Sequence, residues 1–68
     1  MKLKDLKDIL KSRRSCIQWC IVYDYNMQKD VCVSCSVEYA IEHHGEREVR
    51  HICSCFENGR DQIVIEVN

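Results

Sequence analysis

Cysteine and histidine dominate the chemistry available to this chain: Cys16, Cys20, Cys32, Cys35, Cys53, Cys55, His43, His44 and His51. Cys32-x-x-Cys35 has the spacing of a zinc ligand pair, and His51, Cys53 or Cys55 could complete a tetrahedral set. The local sequence argues against that. Val31-Cys-Val-Ser-Cys35 reads as a strand without a turn residue, and alternation along a strand sends residues three apart to opposite faces. Cys16-x-x-x-Cys20 and Cys53-x-Cys55 lack knuckle spacing. A disulfide framework needs an oxidising compartment, and no export signal is visible. Cys35 just before a helix start at Ser36 is the feature that would suit a small thiol redox protein, through a lowered thiol pKa. The preferred reading is plainer: cysteine as a small buried strand residue, with no metal or cofactor and no catalysis.

A second group of residues could bind. Lys4, Lys7 and Lys11, followed by Arg13 and Arg14, could contact phosphates or an acidic protein surface, and Tyr25 sits in a loop where an aromatic ring is available to a partner. Residues 1–14 hold six basic and two acidic side chains, while the formal net charge of the 68 residues is −1. That balance gives no global case for nucleic acid, and charge runs of this kind are usually solvated faces. Phosphate-binding glycine loops and nucleophile elbows are missing from the sequence. His43 and His44 suit a solvated last helical turn, and His51 suits a cross-strand partnership with Glu66.

The elements that must position these groups follow from periodicity. Lys2 to about Ser12 reads as an amphipathic helix, with Leu3, Leu6, Ile9 and Leu10 on one face. Cys16 to Tyr23 reads as a strand, with Ile17, Trp19, Ile21 and Tyr23 on its core face. Asp24 to Asp30 is a polar loop and Val31 to Cys35 the return strand. Ser36 is a suitable N-cap for a two-turn helix that ends at Gly45 in the C′ position. Asn58-Gly59 predicts a two-residue type I′ hairpin, pairing Glu57 with Arg60, Ile52 with Ile65 and Ser54 with Ile63. One face of that hairpin carries Ile52, Phe56, Ile63, Ile65 and Val67, and should be the platform for the remaining apolar surface.

The order α-β-β-α-β-β predicts a small two-layer α+β domain: an antiparallel sheet of about four strands under two short helices. Sixty-eight residues make one domain near the lower size limit for a self-sufficient core, which favours a homodimer. The apolar stretches are too short to span a bilayer, and the expected location is cytoplasmic.

Lys4-Asp5-Leu6-Lys7-Asp8-Ile9-Leu10, Ile21-Val22-Tyr23-Asp24, Glu48-Val49 through Ile52 and Ile63-Val64-Ile65-Glu66-Val67 together form a layout that resembles small α+β proteins encoded by phages and mobile elements of Firmicutes. The resemblance implies an accessory protein in a bacterial host cell that binds a host protein, some such proteins being inhibitors of host defence. It assigns no residue a role, and the six cysteines depart from the layout.

Overall fold

The computed structural model describes residues 1–10 and 16–68. A 3₁₀ turn at Leu3–Leu6 leads to strands β1 (Trp19–Asp24) and β2 (Lys29–Ser36), helix α1 (Val37–His44), and strands β3 (Val49–Glu57) and β4 (Arg60–Val67). The strands form one sheet in the order β2-β1-β4-β3. β1–β2 and β3–β4 are antiparallel hairpins, and the two hairpins join through a parallel pairing of β1 with β4, from Cys20↔Ile63 to Asp24↔Val67. The sheet is therefore mixed, not antiparallel throughout. The reason is topological: α1 carries the chain from one edge to the other, so the second hairpin adds beside the first strand in the same direction. No helix among the described residues is long and apolar enough to cross a membrane.

The expected first helix, Lys2 to about Ser12, is not continuous over its described part, and Lys11 and Ser12 lie outside the described residues. Within Lys2 to Leu10 only Leu3–Leu6 is helical, as a 3₁₀ turn, because the start of the chain is drawn into extended pairing: Lys2 bridges Glu48, and the N–H groups of Leu3 and Lys4 donate to the carbonyls of Arg47 and Gly45. Asp5 closes the turn by accepting from the Lys2 N–H at 2.9 Å. Leu3 and Leu6 still bury the expected apolar face. Helix α1 starts as predicted, with Ser36 Oγ accepting from Tyr39 N–H at 3.1 Å. It ends differently: Gly45 has φ −60°, an ordinary right-handed value, so the left-handed C′ role is not used.

The core joins Leu3 and Leu6 with Cys20 and Val22 of β1, Val37 and Ala40 of α1, and Ile65 and Val67 of β4. This reverses the expected facing of β1, since Trp19 and Tyr23 lie on the other side of the sheet with Ile21. The small Cys20 and Val22 are what fits beneath α1, whose own contact residues Val37 and Ala40 are also small. Helix α1 packs on β1, β2 and the 3₁₀ turn, and among the described residues no helix packs closely on the β3 edge. The platform is thus the seam of β1 and β4, not the β3–β4 hairpin alone.

Candidate functional site

The residues that come together are Cys20, Cys32 and Cys35. Cys32 and Cys35 are joined by a disulfide. Simple alternation along β2 forbids that pairing, and a bulge permits it. Cys20 opposes Cys35 and Val22 opposes Cys32, so the single Ile21 of β1 faces both Val33 and Ser34 of β2. Ser34 supplies the irregularity with φ +52°, a left-handed conformation costing a non-glycine residue roughly 1–2 kcal/mol. The extra residue returns Cys35 to the same face as Cys32. Ser34 Oγ is in turn fixed by accepting from Asn58 Nδ2 at 3.1 Å and from Gln62 Nε2 at 3.0 Å.

Cys20 completes the group. It is fully buried, its Sγ lies 3.7 Å from that of Cys35, and it is 3.9 Å from the Ser36 carbonyl oxygen that can accept its proton. Burial, with the negative charge of Glu38 adding to it, pushes the Cys20 thiol up to about 11. It is a protonated thiol held against one sulfur of a disulfide. Cys32 and Cys35 are half-buried and pack on the edge of the core.

The residues of the zinc alternative are not brought together. Cys32 and Cys35 are on β2, whereas His51, Cys53 and Cys55 are on β3, at opposite edges of the sheet. Three interstrand spacings of about 4.8 Å separate them by roughly 14 Å. Among the described residues no group of three or more His, Cys, Asp or Glu is placed to hold a metal ion. Cys53 and Cys55 oppose Val64 and Gln62, and His51 opposes Glu66 as the hairpin register predicts.

The basic residues are dispersed. Lys4 Nζ pairs with Glu46 Oε1 at 2.7 Å, and Lys2 Nζ with the other oxygen at 3.0 Å. Lys7 is exposed, and Lys11, Arg13 and Arg14 lie outside the described residues. Tyr25 is exposed, with the Arg50 guanidinium 3.7 Å from its ring centre. A shallow open depression of about 220 Å³ bordered by Lys4, Ile41, His44 and Arg47 is smaller than the roughly 300–1,000 Å³ typical of ligand sites.

Two buried polar groups escaped the sequence reading. Asp24 ends β1, where its carboxylate accepts from Met27 N–H at 2.9 Å and pairs with Arg47. Those contacts, the Met27 N–H first, hold it below the usual carboxylate range. An Asp opening a polar loop is the signal for such a turn. Gln62 is buried, its Nε2 also donating to the Glu57 carbonyl at 2.9 Å, while Oε1 has no partner among the described residues.

The other exposed feature is β3. It is an edge strand of nine residues, exposed on both faces from Arg50 to Ser54, and it carries Ile52 and Phe56, the latter 73% exposed. Comparison with known protein families, curated proteins and solved structures finds no match of any of the three kinds.

Proposed function

We propose that the chain is a small non-enzymatic protein-interaction module, and that a partner protein adds a strand to the free edge of β3. The observation that carries this reading is the combination of length, regularity and exposure on that edge. The register runs unbroken from His51 to Glu57, and the strand contains no Pro and no Lys. Protective bulges, charges and covers are what proteins use to keep an edge unpaired, and β3 lacks the bulge in this run. A strand added there would take up the outward backbone N–H and C=O groups, while Ile52 and Phe56 would supply side-chain contacts. The partner can be a second protein or a second copy of this chain.

The test is capture from lysate of the producing cells at physiological salt, with wild type beside an Ile52→Lys, Phe56→Lys variant. A stoichiometric partner, or a dimer of the chain, that the variant loses by at least about tenfold supports the reading. A wild type that stays a monomer and retains nothing overturns it.

A further inference from the structure

We propose that Cys20, Cys32 and Cys35 form a thiol–disulfide exchange site in which Cys20 takes over the bond to Cys35 and releases Cys32. The geometry carries the proposal. Cys20 and Cys35 are directly opposed on antiparallel strands, and their sulfurs are already 3.7 Å apart. Opposed antiparallel residues have Cα atoms about 4.5–5.5 Å apart, within the roughly 4.4–6.8 Å span of disulfides. The new bond needs no change of register.

The step balances within the chain. Cys20 gives its proton to solvent base and its thiolate attacks Cys35 Sγ. The Cys20–Cys35 bond forms as the Cys32–Cys35 bond breaks, and the electron pair leaves on Cys32 Sγ, which takes a proton from solvent. Nothing is oxidised or reduced overall. What changes is where the free thiol sits. Before exchange it is on a fully buried central strand, and afterwards it is on the half-exposed edge strand β2. The three sulfurs thus hide or present a nucleophilic thiol toward a disulfide or electrophile outside the chain.

The rate must follow the Cys20 thiolate. Desolvation beneath α1 and the Glu38 charge on that helix both oppose its formation, so exchange is slow near neutrality and accelerates about tenfold per pH unit below about 11. The proposal is independent of the β3 edge.

The test uses the full chain with Cys16→Ser, Cys53→Ser and Cys55→Ser, which removes the remaining thiols. It is oxidised, freed of oxidant, incubated without added thiol at pH 7.5 and 8.5, quenched in acid, alkylated and mapped by mass spectrometry. Both the Cys32–Cys35 and Cys20–Cys35 isomers are expected, approaching their final ratio about tenfold faster at the higher pH. Adding Cys32→Ser should give Cys20–Cys35 quantitatively on oxidation. Detection of Cys32–Cys35 alone, with Cys20 alkylated only after denaturation, overturns the proposal. If the Cys32→Ser protein loses its fold by circular dichroism, the isomer mapping decides by itself.

Discussion

The two hairpins of this sheet are built from similar strands and treated oppositely. β3–β4 has an unbroken register from His51 to Glu57 and a turn in which Asn58 and Gly59 both take positive φ, and its outer strand is open. β1–β2 is bulged, is covered on one face by α1 and carries three sulfurs in contact. Regularity in the first leaves backbone groups ready for another strand. Irregularity in the second re-aims side chains, and here it places Cys35 beside both Cys32 and Cys20. A bulge in an edge strand also blunts it against foreign pairing, so one edge is protected while the other is open. The open edge and the sulfur site are thus on opposite sides of the sheet.

The largest effect that sharpens this contrast comes from one rung of the ladder. Ile52 and Ile65 are direct cross-strand partners, yet Ile65 is fully buried and Ile52 is 38% exposed. Ile65→Ala should cost about 2–5 kcal/mol, measured by urea denaturation. Ile52→Ala should cost less than about 1 kcal/mol, because much of its surface is already in water. Equal losses at the two positions would show that β3 is covered in solution, by a partner copy or by another part of the chain.

A smaller effect separates the two left-handed sites. Gly59 has φ +76° and open space where a Cβ would be, so Gly59→Ala meets only the backbone penalty of about 1–2 kcal/mol. Ser34 already bears that penalty in the other hairpin, and its hydroxyl is where the hairpins meet through Asn58 and Gln62. Ser34→Ala should cost about 0.5–1.5 kcal/mol. Gln62 keeps its bond to Glu57, and Asn58 is exposed and can turn to water. A double-mutant cycle with Asn58→Ala that shows no coupling would mean that Ser34 does not tie the hairpins together.

These positions also explain what could be read from the residues alone. Asn58-Gly59 is a local signal, and the pairing of Glu57 with Arg60, Ile52 with Ile65 and Ser54 with Ile63 follows from it and is observed. The Ser36 cap is equally local. The bulge at Ser34 is not, because serine carries no mark of left-handed backbone and its Oγ partners come from the far hairpin. Without the bulge, Cys32 and Cys35 read as facing opposite ways, and Cys20 reads as unrelated to either. The parallel β1–β4 seam is non-local too. It decides that Cys20 and Val22, not Trp19 and Tyr23, enter the core, and strand alternation by itself cannot choose between two such faces.

The smallest effect at neutral pH concerns two carboxylates that anchor the ends of these hairpins, and acid should magnify it. Buried Asp24 closes β1–β2 with Met27 N–H and Arg47, while exposed Glu46 before β3 is held by Lys4 and Lys2. Both carboxyls titrate lower in the folded chain than their ordinary 3.8 and 4.5, Glu46 at about 2. A depressed folded value contributes stability above the ordinary pKa, and that stability drains as protons are taken up on the way down to the folded one. The part of the thermal midpoint that these two carboxyls set should therefore be level near neutrality and fall from about pH 4.5 toward pH 2. Glu46→Gln should flatten only part of that fall, and the same part should fade in 1 M salt, where screening acts within about 3 Å. Asp24→Asn should remove a part that salt leaves in place, because its partners reach it inside the protein. A fall that salt abolishes entirely would mean that Asp24 is as open to solvent as Glu46, and that the covered hairpin is no better sealed at its end than the open one.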